Sequence, residues 1–379
     1  MDLERVTALF QENFDSFGEL GASLSVWSEG REVLSIAAGW QDRERTIPWT
    51  AETLVLVWSA TKGPAAACLL HACAAQRLSL STLVAEVWPD FAQGGKERIT
   101  IAQVMSHQAG LPALSHEVSV LDHQAVATAL AAAIPQWEPG SAHGYHPRTF
   151  GFLVDELVRR IAAVPLGEYW RTHFAEPLGL EFFVGMPAGL ASEAAPVFPA
   201  KSAPPKGDPF YTAFMTSGSL TSRAFASPRG LHSVASLNTP DARSRSFPAF
   251  GGVGTARALG KFYAMLAQDG ALSGQTVLAP PTIDAMSTTL ADGADRVLLM
   301  PTAFSAGFMK DPLDADGRKL RSTFGPSLCA FGHPGAGGSL AFADPEHRIA
   351  FAYVMNQMEP GVLPNAKSLR LVEALYAGF

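Results

Sequence analysis

Ser59-Ala60-Thr61-Lys62 sets a serine hydroxyl and a lysine amine three residues apart, and the reading of the whole chain turns on that spacing. On a helical turn, residues i and i+3 share a face, so the amine can take the hydroxyl proton and leave an alkoxide nucleophile. The apolar segment Leu54-Val55-Leu56-Val57-Trp58 runs ahead of it, and Pro64 and the alanine-rich stretch 65–76 come after it. Such a stretch reads as a buried helix. Proline lacks an N–H and is at home in a first helical turn, so Ser59 and Lys62 belong to a tight turn that opens this helix. A helix start favours developing negative charge, such as an oxyanion beside Ser59. Lys62 is the only lysine with a serine three residues before it.

Two other segments carry chemistry. Gly144-Tyr145-His146-Pro147 follows Trp137-Glu138-Pro139-Gly140 and precedes a helical run over 150–161. A buried tyrosine near a lysine can serve as a proton relay or as a base. The second segment is Phe331-Gly332-His333-Pro334-Gly335-Ala336-Gly337-Gly338-Ser339. It leads into an alternating strand over 340–343, an Asp344-Pro345-Glu346 turn and a second strand over 348–355. Glycines let a substrate carbonyl come close to the backbone, where an N–H can join that of Ser59 in an oxyanion hole.

In this order the three segments resemble the Ser-x-x-Lys, Tyr-x-Asn or Ser-x-Asn, and Lys-Thr-Gly boxes of the serine β-lactamase and penicillin-binding-protein superfamily. The resemblance is closer to the family VIII carboxylesterases, β-lactamase-like esterases that keep Ser, Lys and Tyr. It extends through Met105-Ser106-His107-Gln108-Ala109-Gly110-Leu111, Glu176-Pro177-Leu178-Gly179-Leu180 and Gly251-Gly252-Val253-Gly254-Thr255-Ala256, and covers nearly the whole chain. It implies an α+β or α/β, β-lactamase-like fold, with an antiparallel sheet built from both termini, flanked by helices, and an inserted helical region. Residues 1–379 then form one catalytic unit. Sheet-containing parts span 1–60 and 250–379, and a mainly helical part with loops covering the site spans 61–249.

The resemblance also implies the site. Ser59, Lys62 and Tyr145 are the catalytic residues, and either Lys62 or Tyr145 is the base. Aligning His333-Pro334-Gly335 with Lys-Thr-Gly makes the backbone N–H groups of Ser59 and Ala336 the oxyanion hole. Trp58, His146, His333, Gly335 and Gly337, inside or beside the boxes, are the substrate-binding candidates. Pro147 stands where the superfamily has the Asn that grips a β-lactam side chain. His333 and Pro334 stand where a Lys and a Thr would hold a carboxylate, which a mostly neutral imidazole and a proline do poorly. The expected activity is therefore hydrolysis of small, uncharged, short-chain carboxylic esters through an acyl-Ser59 intermediate. An acyltransferase or a promiscuous β-lactamase is the alternative, and a non-catalytic binding protein is the remaining one. His333 either helps position Tyr145 or a water molecule, or is a structural strand residue. His107 reads as structural.

Composition agrees. The 379 residues are 47% hydrophobic and 17% charged, which excludes a disordered chain. A net charge of −7 without a basic cluster excludes nucleic acid as a partner. The three cysteines, Cys68, Cys73 and Cys329, show neither metal spacing nor a disulfide framework. The histidines at 143, 146 and 333 do not form a zinc-ligand pattern, and the glycines at 251, 252 and 254 lack the Lys-Ser/Thr of a phosphate loop. No cofactor or metal is expected. No Gly-x-Ser-x-Gly supports an α/β-hydrolase elbow. No signal peptide or membrane-length apolar run is read, so a cytoplasmic protein acting on a small-molecule ester is expected. The oligomeric state is not legible. Along the chain, helices are expected over 1–17, 259–268 and 364–376, strands over 22–27 and 31–38, and an extended loop region over the cleft at 199–248.

Overall fold

The computed structural model describes residues 1–378. Strand Ile349–Met355 shows how its sheet is packed. Successive side chains of a strand point to opposite faces, and here Ile349, Phe351, Tyr353 and Met355 enter one hydrophobic core while Ala350, Ala352 and Val354 enter another. The preceding strand repeats the pattern, with Leu340 and Phe342 on the first face and Ala341 and Ala343 on the second. Large side chains thus fill one side of the sheet, and alanines let a helix lie close on the other.

The main sheet has eight strands in chain order: β1 (Gly21–Ser28), β2 (Arg31–Gly39), β3 (Ala291–Ala294), β4 (Pro301–Phe304), β5 (Met309–Lys310), β6 (Phe331–Pro334), β7 (Leu340–Asp344) and β8 (Ile349–Met355). Their spatial order is β2-β1-β8-β7-β6-β5-β4-β3, and every pairing is antiparallel. The N-terminal hairpin therefore joins the C-terminal strands through the β1–β8 pairing, and the sheet is assembled from both ends of the chain. Helices α1 (Leu3–Ser16) and α5 (Ala366–Tyr376) pack on the face of large side chains. The helix Ala256–Ala267, here α4, covers the alanine face. There a Cβ on Gly260 would come within 2.7 Å of Ser25 Oγ.

Between β2 and β3 the chain forms the helical part. Its centre is α2 (Lys62–Ala75), which packs against α3 (Thr149–Ala162). Helix α2 is apolar on all sides and buried over most of its length, as its alanine-rich sequence requires. Cys68 and Cys73 are part of this core, and burial raises both thiol pKa values.

One expectation needs correction. Residues 199–248 are not an extended loop: they hold four short helices, Pro209–Met215, Leu220–Ala226, Val234–Leu237 and Pro240–Ser244. None exceeds two turns, so no 3.6-residue period shows in the sequence. Asp208, Ser219, Ser233 and Thr239 each accept a backbone N–H three residues on and start these helices. The short strands β3 to β5 also escape sequence reading, because Ala291-Asp292-Gly293-Ala294 has little strand propensity of its own. Among the described residues, no helix is long and apolar enough to cross a membrane.

Candidate active site

The site begins with a backbone clamp. Val55–Leu56 pairs with Gly252–Gly254, which pairs in turn with Phe182–Val184, in a small antiparallel sheet. Val57 N–H donates to Gly252 O at 2.9 Å, and Gly252 N–H donates to Thr61 Oγ1 at 2.8 Å. The Thr61 hydroxyl closes the turn by donating to Trp58 O. A Cβ on Gly252 would fall 2.6 Å from Thr61 Oγ1, so only glycine lets the strand hold the turn this closely. Trp58 sits at φ +52°, a region a bulky side chain enters only when its surroundings impose it. The 3₁₀ turn Trp58–Thr61 then delivers Ser59 to the mouth of α2, with Lys62 as the helix's first residue.

Lys62 is fully buried. Its Nζ lies 3.3 Å from Ser59 Oγ and donates to Pro147 O and Ala249 O, each at 2.9 Å. It also lies 4.8 Å from the centre of the Tyr145 ring. Burial drives its ammonium well below the ordinary lysine range. The neutral amine has two hydrogens and one lone pair. The two carbonyls take the hydrogens, which leaves the lone pair for the Ser59 hydroxyl.

Tyr145 is buried and lines the same cavity as Ser59, whose hydroxyl interacts with its phenol. Burial raises the phenol's pKa, the Ser59 contact opposes this, and the nearby Asp295 charge adds to the rise. The tyrosine thus stays protonated where the lysine does not. Asp295, a residue that sequence reading missed, holds the Tyr145 backbone. Its carboxylate accepts Tyr145 N–H at 3.0 Å, and also Val297 N–H, Leu298 N–H and the Thr302 hydroxyl. Its short polar turn lies far from the three boxes in sequence, and nothing in its composition points to the site.

The strand β6 comes in from the opposite side. A Cβ on Gly335 would meet Val57 O at 2.2 Å, so glycine here lets the strand end lie against the nucleophile turn. Among the described residues, neither Ser59 N–H nor Ala336 N–H has an acceptor. Gly335→Ala must push this backbone contact apart. Overpacking of this kind costs about 1–3 kcal/mol, and a shift of roughly 1 Å in a reacting geometry can cost on the order of 10²-fold in rate. A lower melting temperature together with slower single-turnover acylation is the expected outcome.

A cavity of about 380 Å³ brings Trp58, Ser59, Tyr145 and Ala336 together, with Arg148 and Phe250 on its wall. The other substrate-binding candidates do not line it. His146 is buried, accepts Leu111 N–H at Nε2 (2.9 Å) and donates from Nδ1 to Gly144 O (2.6 Å). Burial holds its pKa down to about 3. It is a structural residue that shapes the Tyr145 loop, and the expectation of a substrate contact is corrected. His107, at φ +62°, supports the same loop by accepting His146 N–H and Gly144 N–H. His333 is also buried, donates from Nδ1 to Pro334 O and is held neutral, at about 3, by burial and by Lys62. It stands behind the wall, its ring centre 5.9 Å from that of Tyr145. Gly337, at φ +87°, donates to Gly361 O and turns the chain against Met358. Gly335 serves through its missing side chain.

The chain as a whole is matched in known proteins. The family model described as Beta-lactamase matches residues 6–375. The chain belongs to the β-lactamase family. A curated relative in this family, the Esterase/beta-lactamase LipL of Mycobacterium tuberculosis, is 31% identical over 347 residues, which are 89% of this chain and 77% of LipL. Among solved structures, a penicillin-binding-protein homologue from Caulobacter crescentus is 35% identical with a TM-score of 0.88, over 100% of this chain and 98% of that one. A family VIII carboxylesterase is 30% identical with a TM-score of 0.86, over 99% and 97%. The β-lactamase-like fold and the resemblance to family VIII are thus shown, and with them membership of a β-lactamase-like hydrolase family that has esterases among its neighbours.

Proposed function

We propose that this protein is a serine carboxylesterase that hydrolyses short-chain carboxylic esters through an acyl-Ser59 intermediate. The observation that carries the reading is the buried Lys62 amine. Its hydrogens are engaged by two backbone carbonyls, and its remaining valence faces Ser59 Oγ. Lys62 takes the hydroxyl proton as Ser59 attacks the ester carbonyl. The free N–H groups of Ser59 and Ala336 receive the oxyanion. Tyr145, kept protonated by burial and placed beside Ser59 in the cavity, gives its proton to the departing alkoxide and regains one from Lys62. Water then hydrolyses the acyl-Ser59 ester by the same steps. These residues do the chemistry without a cofactor, and a cytoplasmic setting with a small-molecule ester is the matching proposal for location and partner.

Esterase rather than β-lactamase activity is supported by the two positions where the superfamily grips a β-lactam. Pro147 offers the cavity no amide, and His333 is buried, neutral and outside it. The expected result is a kcat/KM for nitrophenyl butyrate far above that for benzylpenicillin. Comparable values would assign the site to β-lactams instead.

A further inference from the structure

One wall of the catalytic cavity holds a cation without a counter-ion. Arg148, one residue past Pro147, is only 7% exposed and lines the cavity with Ser59 and Tyr145. Among the described residues it forms no ion pair. Arg229, on the same loop as Gly230, is paired with Glu117 at the surface, so that acid is already engaged. Burial brings the Arg148 guanidinium down to about 10, which leaves it charged at neutral pH. Its guanidinium lies 4.8 Å from the centre of the Phe250 ring.

Its hydrogen bonds are also incomplete. Nη2 donates to Gly230 O, and Nη1 points at His232 Nδ1 at 2.8 Å. Gly230 N–H points at the other ring nitrogen of His232, at 2.9 Å. A neutral imidazole accepts at one nitrogen only, so the two donors compete for it. Burial, followed by the charges of Arg148 and Arg229, lowers the pKa of His232 from the ordinary histidine value. Among the described residues, the buried Nε of Arg148 has no hydrogen-bond partner. A guanidinium presents a planar fork of five N–H donors suited to a carboxylate, and a buried charge left unpaired is costly. An anion entering the cavity would supply the counter-charge.

We propose that the preferred esters carry a carboxylate, held by Arg148 while Ser59 is acylated. This rests on the esterase reading and narrows it. Sequence reading expected uncharged esters because positions 147 and 333 carry no cation, but the neighbouring position 148 supplies one from another wall. Phe214, Phe225, Leu231 and Val362 line the rest of the cavity and suit a short methylene chain.

Two measurements test this. Calorimetric binding of glutarate needs no turnover: wild type should bind glutarate and not glutaramide, and Arg148→Met should weaken glutarate binding about 10–100-fold, with Arg148→Lys in between. Equal binding of glutarate and glutaramide by wild type overturns the proposal even if Arg148→Met fails to fold. In the second measurement, kcat/KM is compared for monomethyl glutarate against methyl 5-methylhexanoate, and for O-butyrylglycolate against isobutyl butyrate. A carboxylate on the acyl side favours the first acid, one on the alcohol side the second, and the anionic-to-neutral ratio should collapse in Arg148→Met. Neutral esters preferred in both pairs would overturn the proposal and leave the esterase reading intact. Glutarate binding without hydrolysis of any ester would remove the esterase reading and leave the anion site.

Discussion

Ser59→Ala is expected to lower ester hydrolysis by on the order of 10⁴-fold or more, as removal of a nucleophile that works with a base does. The variant should remain folded. The Ser59 side chain contacts Lys62 and Tyr145, but neither residue depends on it for its place. Lys62 keeps its two carbonyl acceptors, and the Tyr145 backbone stays on Asp295. The Ser59 N–H survives in the alanine variant, so the residual rate measures what the oxyanion donors achieve without covalent catalysis. Circular dichroism and melting temperature should match wild type while acylation disappears. Substantial turnover in a folded Ser59→Ala protein would remove Ser59 as nucleophile.

The second large effect belongs to Lys62. A lysine acting as base must be neutral in the working enzyme, and burial lowers its pKa in the required direction. The fraction of neutral amine grows with pH, so acylation should rise with pH through a value well below the ordinary lysine range. The profile reports the coupled Lys62–Tyr145 pair, because the two share one proton network. Tyr145 is pushed the opposite way, so it remains a proton donor over that range. Lys62→Met keeps most of the side chain's length but has no base, and Lys62→Arg keeps a positive charge but cannot give up a proton at working pH. Both should lose on the order of 10²–10⁴-fold in single-turnover acylation, and the rising limb should vanish in both. A nearly active Lys62→Arg would mean that Lys62 supplies only positive charge.

The parts of this site that were legible in the sequence share one property: their meaning is local. Ser59 and Lys62 sit on one turn, and Tyr145 and the glycines around Ala336 lie in short ordered segments whose spacing does not depend on distant contacts. The sheet from both termini was legible for the same reason, since β1, β2, β7 and β8 are hairpins with regular alternation. What stayed hidden depends on tertiary pairing. Asp295 acts on Tyr145 across 150 residues of chain, and Gly252 closes on Thr61 across 191. His146 and His333 looked like substrate contacts because they stand inside the boxes. Only burial and the backbone partners of their ring nitrogens show that they face inward. Arg148 lies next to a recognised box, but its significance comes from lacking a counter-ion among the described residues, which no spacing can show.

The central claim is covalent catalysis by Ser59. It is tested most directly by treating the protein with a fluorophosphonate, measuring the intact mass and mapping the modified peptide. The expected result is one adduct per chain, located on Ser59, with loss of esterase activity in proportion to labelling and no adduct in Ser59→Ala. An adduct on another residue, or an active enzyme that resists labelling, would contradict it.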